Sequence, residues 1–581
     1  MTPPPNAAFY YAPDNYQTAG DGVVGRQSAT GGFLKGFIHH AGVDKILIYA
    51  DQAQVFEQFR DFVAEAGGDT DAIGAYLPAN TAGLSDVGTL FRPGPDVGSL
   101  AWRRRHFDPR GFSIAGITHT VCETMAMQVI GDLLVAPVQP WDALVCTSAC
   151  VKGVVTRLLD GHAAYLSRRF GAEVTVPLEL PIIPLGVDAD AMAARGSDQA
   201  ARADLRGRMG INEADIALLY AGRLNHVEKA NPIPMHLAAE TAAQSSGRRL
   251  HLIQAGQATN KDVEDAFKQA ATSFAPSVNH HFIDGSMTEL YDMIWAAADI
   301  FISLSDNIQE SFGLTPIEAM AAGLPVIVSD YDGYRESVRH GEDGLAVPTA
   351  QPPAGAGAEA GFLYDTGNIP YPVFTAATSQ STAADVAAAA DAIVTLIGDP
   401  ALRRKMGGSG QARAREVYDW RHVVAGHQAL WQDLADIRAG AGEAVPLGEG
   451  EVPHPLAADP FHLFRDHATV RIEGTATVTA IGGADSLKAF LASDIAAPLA
   501  AVLMDEAATA ALLEDLAASG PQTAAHLAAK QPPERLTPFY LTLGWLAKVG
   551  LVRIEAGDGD GPDTPAPPFG ASETWKRLMG G

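Results

Sequence analysis

The chain has few cysteines and lacks any long apolar run. Only Cys122, Cys146 and Cys150 occur among its 581 residues, which argues against a disulfide framework and favours a reducing compartment. No apolar run approaches the ~20 residues that cross a bilayer, and residues 1–5 carry neither a basic stretch nor an apolar core typical of a signal peptide. We therefore expect a cytoplasmic protein without a transmembrane segment.

Positive charge is also scarce. The chain has 41 Lys and Arg against 68 Asp and Glu, a formal net charge of −27. Proteins that wrap nucleic acid or lie on anionic membranes need a positive surface, so nucleic acid is not an expected partner. Hydrophobic residues make up 47% and charged residues 19% of the chain, a balance typical of folded proteins with large cores rather than of disordered ones.

Short apolar runs alternate with helical stretches, which is the pattern of α/β proteins. The runs that predict buried parallel strands are residues 45–50, 113–117, 144–148, 216–221, 250–255, 300–304 and 326–329. Residues 181–188 are predicted to form the last strand of the first half and a turn. The expected fold is two Rossmann-like doubly wound domains, residues 1–200 and 201–438, the second including closing helices.

Three stretches rich in Gly, Pro and small residues predict loose structure. Residues 351–361 are interpreted as a surface insertion, 439–460 as a linker and 557–581 as a flexible tail. Between the last two, residues 461–556 predict a small winged-helix-like module: a strand over 469–481, three helices and a final strand over 550–555. Acidic residues outnumber basic ones in this module, so it lacks the charge of a DNA reader. We expect it to mediate homodimerisation or docking of a pathway protein, with Phe539, Tyr540 and Trp545 as candidate contacts.

The stretch with the most chemical information is 310–330, ESFGLTPIEAMAAGLPVIVSD. A helix is predicted to begin at Thr315 and Pro316, with Thr315 as its N-cap. Its N-terminus would face out of the carboxyl edge of the sheet, where α/β proteins bind ligands and where free amides suit a phosphate. Glu318 has two interpretations: a capping box that closes the first turn, or a ligand-binding carboxylate together with Glu310.

Three further segments carry candidate site residues. Gly222 and Arg223 end a predicted strand, and Lys229 follows; two cations at a strand's carboxyl end suit a diphosphate. Glycines in 20–25, with Gly22 and Gly25 as candidates, would let the backbone approach a ligand closely. His119 follows the strand 113–117 and is either a structural histidine or a site residue. The pairs at 39–40 and 280–281 lack the spacing of metal ligands.

The stretch 310–318 resembles the E-x7-E signature of retaining GT-B glycosyltransferases of family four. That resemblance implies that Glu310, Phe312, Gly313 and Leu314 hold the donor sugar and that Glu318 grips the nucleotide ribose. Thr315 would lie at the start of the helix that faces the donor. The strand end at 220–224 resembles the family's Gly-Arg-Leu element with its lysine. In the family the lysine lies five residues after the arginine, the place that Glu228 occupies here, and a one-residue insertion would explain the difference.

The same resemblance implies further roles for residues in the first half. Gly22 and Gly25 would belong to a glycine loop that contacts donor phosphate and acceptor, and His119 would lie beside the reacting sugar. The catalytic set would be His119, Arg223, Lys229 and Glu310. The implied reaction is transfer of a sugar from a nucleotide-sugar, with UDP the commonest nucleotide, by front-face attack without a metal or cofactor.

Two alternatives to this activity stay open. A phosphorylase of the same fold would use orthophosphate, but a ribose-binding Glu318 would then serve no purpose. A catalytically weak scaffold that binds sugar nucleotides would act through the C-terminal module. The acceptor is unknown. Arg103, Arg104 and Arg105 form a basic island in an acidic chain, either a solvated face or the contact for an anionic acceptor.

Overall fold

Residue contacts divide the chain into two units, Met1–Glu451 and Val452–Gly581. The computed structural model describes residues 4–16, 25–448 and 451–557. Among these residues, no helix combines the length and apolar character needed to cross a membrane.

The first half of the larger unit contains a six-stranded parallel sheet. Its strands are mostly buried, as expected for a parallel sheet, except the edge strand over 73–76, which is partly exposed. Its strands are β1 (Ala8–Tyr10), β2 (Ile46–Tyr49), β3 (Ile73–Tyr76), β4 (Thr89–Arg92), β5 (Ser113–Ile117) and β6 (Ala143–Val145). They lie in the order β3-β2-β1-β4-β5-β6, which is the strand order of a Rossmann fold.

The second half repeats the same topology. Its strands are β7 (Ile216–Ala221), β8 (Leu250–Ala255), β9 (Asn279–Ile283), β10 (Ile300–Ser303), β11 (Val326–Ser329) and β12 (Gly344–Val347). Their order is β12-β11-β10-β7-β8-β9, with every pairing parallel. The larger unit is therefore an α/β fold of two Rossmann-like doubly wound sheets, and the fold class expected from the sequence is confirmed. A short pair, β13 (Thr349–Ala350) and β14 (Ala383–Ala384), follows.

Helices connect these strands. In the first half they are α1 (Gly25–His40), α2 (Val55–Glu65), α3 (Val97–Arg104), α4 (Thr124–Gly131) and α5 (Ala149–Phe170). The helices from residue 189 onward are α6 (Ala189–Ser197), α7 (Gln199–Met209), α8 (Ile233–Ser246), α9 (Lys261–Phe274), α10 (Thr288–Ala297), α11 (Leu314–Ala321), α12 (Tyr334–Ser337), α13 (Ala358–Asp365), α14 (Tyr371–Ser379), α15 (Val386–Gly398), α16 (Pro400–Arg413) and α17 (Trp420–Gly440).

Two helices pack across the division between the halves. Helix α6 packs against α10 and α11, so residues 189–197 lie with the second sheet. Helix α17 returns to the first half, where it packs against α1 and β5. Trp431 of α17 is buried against Phe9 and Phe37. Helix α17 therefore packs against the N-terminal sheet and helix of the first half.

One predicted strand of the first half does not form as expected. Residues 181–188 are not assigned as a strand, although single bridges pair Glu179 with Ala143 of β6 and Ile182 with Cys146 just after it. Two prolines, at 181 and 184, lie in the segment, and a third precedes it at 177. Proline removes the backbone donors that a continuous ladder needs, so only isolated bridges form.

The smaller unit contains an antiparallel sheet of β15 (Thr477–Ala480), β16 (Gln522–Thr523) and β17 (Val552–Glu555), in the order β16-β15-β17. Its helices are α18 (Pro460–Leu463), α19 (Leu487–Leu491), α20 (Glu506–Ser519), α21 (Ala524–Ala528) and α22 (Leu536–Lys548). The strand predicted over 469–481 was wrong in length. A turn precedes the observed strand, with the Ala476 amide donating to the Glu473 carbonyl. The strand therefore begins only at Thr477.

The partner-facing aromatic residues predicted for this unit also need correction. Phe539 and Trp545 are buried in its core, and the Trp545 indole N–H donates to the Ala496 carbonyl at 2.8 Å. Their size builds the core of a small module, which leaves them unavailable to a partner.

Candidate functional site

The second sheet reverses its winding direction between β7 and β10, which are neighbours. In open α/β sheets, ligands bind outside the carboxyl ends of the strands at such a switch point. The loop after β7 carries Gly222, Arg223 and Lys229, and the loop after β10 carries Glu310. The topology therefore brings two sequence-predicted segments to one edge.

Lys229 and Glu310 meet at this edge. The Lys229 ammonium donates to Oε2 of Glu310, and both side chains are largely buried. The Tyr334 hydroxyl also donates to Oε2 of Glu310, at 3.5 Å. Burial opposes ionisation of both groups, but the opposite charge of the partner outweighs this effect. The pKa of Glu310 is therefore lowered and that of Lys229 is raised. The site thus holds a charged pair out of bulk water.

Glu228 lies five residues after Arg223, and its side chain is directed at that arginine. Glu228 accepts from Nη1 of Arg223 at 3.3 Å. The Asn225 carboxamide accepts from the amides of Val227 and Glu228 and so shapes this loop. Asn307, from the loop after β10, donates to the Val227 carbonyl at 2.6 Å. The two loops are therefore fixed to each other, with Lys229 rather than Glu228 directed at Glu310.

Gly313 is the N-cap of the helix that begins at this site. Helix α11 starts at Leu314 with Gly313 as its N-cap, so the predicted N-cap, Thr315, lies inside the first turn and that assignment was wrong. Gly313 has φ +81°, and a Cβ there would lie 1.9 Å from the Tyr334 ring. Only glycine allows both the backbone conformation and the close approach. Phe312 is buried and its ring packs against Tyr418, so its amide and not its side chain is available to a ligand.

Glu318 lies on α11 and forms no ion pair within the part of the chain that the structure describes. Because Thr315 is not the N-cap, the capping-box geometry proposed for Glu318 does not apply. Burial raises the pKa of Glu318 to about 7, with Arg195 and Lys229 partly offsetting it. A buried carboxyl without a paired charge favours its protonated form until a ligand supplies hydrogen bonds.

The first half contributes its own loops to the same place. The Thr120 hydroxyl donates to the Gln309 carbonyl at 3.5 Å, and the Ser148 hydroxyl donates to the Ser311 carbonyl at 3.1 Å. His119 is 9% exposed and precedes Thr120. These contacts bring the carboxyl edge of the first sheet against the Glu310 loop. Gly25 is the first residue of α1, whereas Gly22 lies outside the described residues.

The three arginines proposed for the acceptor do not act as one surface. Arg104 is buried and forms a bidentate pair with Asp142, both distances being 2.6 Å. It is a structural residue, and its assignment to acceptor binding was wrong. Arg105 is also buried. Arg103 is half-exposed and pairs with Asp51, directly after β2, at 2.5 Å, so it alone lies accessibly at the carboxyl edge of the first sheet.

The segment that follows the predicted surface insertion, residues 362–379, reaches the site, whereas residues 351–359 are exposed. Helix α13 begins within 351–361, and α14 follows. The Tyr371 hydroxyl donates to Oε1 of Gln309 at 2.8 Å and lies 3.3 Å from Sγ of Cys122. The Thr124 amide donates to the Tyr364 hydroxyl at 3.3 Å. The sequence did not single out these tyrosines, because they follow a low-complexity stretch and no local pattern shows that they pack against the first half.

Two acidic residues after β11 were also missed. Glu336 accepts from the amides of Ala149 and Cys150, at the N-terminus of α5. Asp332 is held in the left-handed region with φ +47°. The available signal was an Asp-Gly pair directly after a strand, on the same edge as Glu310.

No group of three or more His, Cys, Asp or Glu side chains suited to a metal ion occurs in residues 4–16, 25–448 and 451–557. His280 and His281 lie on β9, where His281 contacts His251 at 2.9 Å.

Residues 201–363 match the family described as glycosyl transferases group 1. The chain is similar to the D-inositol 3-phosphate glycosyltransferase of Geodermatophilus obscurus, 27% identical over 290 residues, which cover 49% of this chain and 54% of that protein. It is also similar to the phosphatidyl-myo-inositol mannosyltransferase of Mycobacterium leprae, 32% identical over 126 residues, 22% of this chain and 24% of that protein. The chain spans about half the length of the curated relatives it matches.

Among solved structures, the Anabaena protein HepE in complex with UDP aligns with a TM-score of 0.48 at 14% identity, covering 74% of this chain and all of that one. Sucrose-phosphate synthase from Thermosynechococcus elongatus aligns with a TM-score of 0.44 at 17% identity, covering 74% and 99%.

Proposed function

We propose that this chain is a retaining GT-B glycosyltransferase that moves a sugar from a nucleotide-sugar to a hydroxyl acceptor. The observation that supports this most is the Lys229–Glu310 pair beside Arg223 at the switch point of the second sheet. Cations suit the diphosphate that leaves, and a buried carboxylate suits hydroxyls of the sugar. The match of residues 201–363 to a glycosyl transferase family covers the same segment.

In this proposal each residue has a separate task. Glu318 accepts hydrogen bonds from the ribose hydroxyls, while Glu310 and the amides of residues 312–314 orient the sugar. Arg223, Lys229 and the N-terminus of α11 stabilise the charge on the departing diphosphate. That diphosphate takes the proton of the acceptor as the new bond forms on the face from which it leaves. Positioning and electrostatic stabilisation supply most of the catalysis.

The acceptor is proposed to carry a hydroxyl and a negative charge. The names of two relatives specify D-inositol 3-phosphate and phosphatidyl-myo-inositol, both of which carry inositol hydroxyls and a phosphate. Arg103 is the exposed member of the basic island and lies at the carboxyl edge of the first sheet with Asp51. We further propose that the protein acts in the cytoplasm, since its three cysteines are free thiols and suit a reducing compartment.

The test is a transfer and hydrolysis assay with UDP-glucose, UDP-N-acetylglucosamine, GDP-mannose and ADP-glucose, with and without EDTA. We expect turnover of one donor, unaffected by EDTA, and an α-linked product from an α-linked donor by NMR. Loss of activity with EDTA would contradict the metal-free mechanism. Binding without turnover of any donor would favour the alternative, a sugar-nucleotide-binding scaffold that acts through the smaller unit.

The smaller unit is proposed as a winged-helix-like interaction module that forms homodimers or docks a pathway protein. Apolar side chains are exposed on it, including Phe461 at 72% and Ile495 at 95%. A contiguous apolar patch on a protein surface marks an interaction site, so these side chains are the candidates for a partner contact in this proposal. All the candidate site residues named above precede residue 452.

A further inference from the structure

Asp332 holds a backbone conformation that its own side chain disfavours. Its φ of +47° makes it the one non-glycine residue with positive φ among the residues that the structure describes. For an L-residue this region costs ~1–2 kcal/mol relative to the right-handed one, although Asp tolerates it better than most. A glycine at this position would remove the cost, so the presence of Asp calls for another explanation.

The loop that carries Asp332 is pressed against the Glu310 loop. A Cβ on the next residue, Gly333, would lie 2.6 Å from Cα of Phe312. On its other side, the Cys150 thiol donates to the Asp332 carbonyl at 3.5 Å. Asp332 therefore lies between the donor-facing loop of the second half and the start of α5 in the first half.

One oxygen of the Asp332 carboxyl lacks a hydrogen bond within the part of the chain that the structure describes. Oδ2 is buried and has no hydrogen-bond partner among the described residues. The Gly333 amide faces the carboxyl, and the charge of Lys229 acts on it, but Lys229 is already paired with Glu310. Leaving a buried polar atom unbonded costs ~1–3 kcal/mol. Backbone strain and an unbonded oxygen at one residue both disfavour Asp unless a ligand compensates them.

The surroundings shift the pKa of the Asp332 carboxyl in the opposite direction from that of Glu310. Burial, then the nearby charges of Glu310 and Glu336, raise the pKa of Asp332 to about 8, with the Gly333 amide and Lys229 partly offsetting them. At neutral pH the group is therefore mainly a neutral acid, which can donate as well as accept. Beside it, Glu310 is an ionised acceptor. The two carboxyls together offer a complementary pair to a ligand rich in hydroxyls.

We propose that Asp332 is a further substrate-contacting residue, whose carboxyl hydrogen-bonds a hydroxyl of the transferred sugar on the side of Glu310 that faces α5. This inference rests on the proposed function, because it requires a nucleotide-sugar in the site. It assigns Asp332 to the sugar alone and to neither the nucleotide nor the diphosphate.

The experiment compares Asp332→Gly and Asp332→Asn with the wild-type full-length chain. Three quantities are measured: Tm, the Kd of the nucleoside diphosphate, and the Kd of the nucleotide-sugar from the donor panel above that binds most tightly. Asp332→Gly is expected to raise Tm, because it relieves the positive φ, and to leave the diphosphate Kd within twofold. It should weaken nucleotide-sugar binding about tenfold, the loss of one well-made hydrogen bond. Asp332→Asn keeps a donor and an acceptor and should stay within about threefold of wild type.

Two results would overturn the inference alone. The first is a more stable Asp332→Gly whose nucleotide-sugar affinity and turnover equal those of wild type, which would make Asp332 an ordinary turn residue. The second is parallel weakening of diphosphate and nucleotide-sugar binding, which would make it a structural residue of the loop. If the wild-type chain binds no member of the panel, the proposed function fails and this inference fails with it.

Discussion

The Lys229 ammonium contacts the Glu310 carboxylate, and this pair joins the loop after β7 to the loop after β10. Both side chains are largely buried, at 19% and 10% exposure. A buried charge that loses its partner is strongly destabilising, so each group fixes the other. The pair therefore pre-organises one cation and one hydroxyl-binding carboxylate at the switch point of the second sheet before any ligand binds.

Replacing Lys229 should lower turnover far more than replacing its neighbour Glu228. Lys229→Ala is expected to cost about 10²-fold or more in kcat, the scale of losing one pre-organised charge stabiliser, and Arg223→Ala a similar amount. Glu228→Ala is the matched control, since Glu228 contacts Arg223 rather than Glu310. The measurement is steady-state hydrolysis of the nucleotide-sugar. A silent Lys229→Ala together with a large loss in Glu228→Ala would reverse the assignment of the two residues.

Substitutions of Glu310 and Glu318 should have different effects on nucleotide affinity and on turnover. Glu318→Ala is expected to weaken binding of the bare nucleoside diphosphate, because its carboxyl is proposed to accept from both ribose hydroxyls. Glu310→Ala should mainly lower turnover and keep bare nucleotide affinity, because it is proposed to touch the sugar. Isothermal titration with UDP, GDP and ADP provides the measurement. Equal nucleotide affinities for Glu318→Ala and wild type would contradict the ribose assignment.

Nucleotide affinity should increase between pH 6 and pH 8. Glu318, with a pKa of about 7, carries a proton below that pH and is a carboxylate above it. Only the carboxylate accepts from two hydroxyls, so affinity should rise about tenfold at most over this range. Asp306, with a pKa raised to about 7 by burial, and the nucleotide phosphate titrate nearby. Glu318→Gln retains those groups and is the control: an unchanged pH profile in this variant would exclude Glu318 as the source.

The sequence predicted those parts of the site that local patterns encode. Apolar runs located the second sheet, and the E-x7-E spacing made Glu310 and Glu318 candidates for the site, because each pattern depends on neighbouring residues. Contacts between distant segments were not accessible in the same way. A run of three arginines gives no sign that Arg104 pairs with Asp142 inside the core. Likewise, no local pattern shows that Tyr371, at the start of α14, reaches Gln309.

Gly313 should tolerate no side chain. In Gly313→Ala the new Cβ would lie 1.9 Å from the Tyr334 ring, at a φ of +81°. Steric overlap and backbone strain together should lower the free energy of unfolding by ~3 kcal/mol or more. Gly408→Ala is the matched control, because Gly408 lies in α16 and a Cβ there meets nothing within 4 Å. It should stabilise by up to ~1 kcal/mol. Urea denaturation of both variants compares the two; similar stabilities would contradict the packing described for α11.

Removing the smaller unit should leave donor hydrolysis intact and change the solution mass or the use of acceptor. The position of the cut matters, since residues before 452 contact the first half. Arg110 donates to the Ala441 carbonyl, and the Ala444 amide donates to Gln139 at 2.8 Å. A chain that ends at Glu451 keeps these contacts, whereas one that ends at Ala439 loses them.

Light scattering and nucleotide-sugar hydrolysis of the full chain and the chain ending at Glu451 form the test. The chain ending at Ala439 serves as the comparison, and its lower Tm would report the lost contacts. We expect equal hydrolysis by the full chain and the chain ending at Glu451, because every candidate site residue precedes residue 452. A monomeric full chain that loses hydrolysis on removal of the smaller unit would contradict both the interaction role and the independence of the catalytic unit.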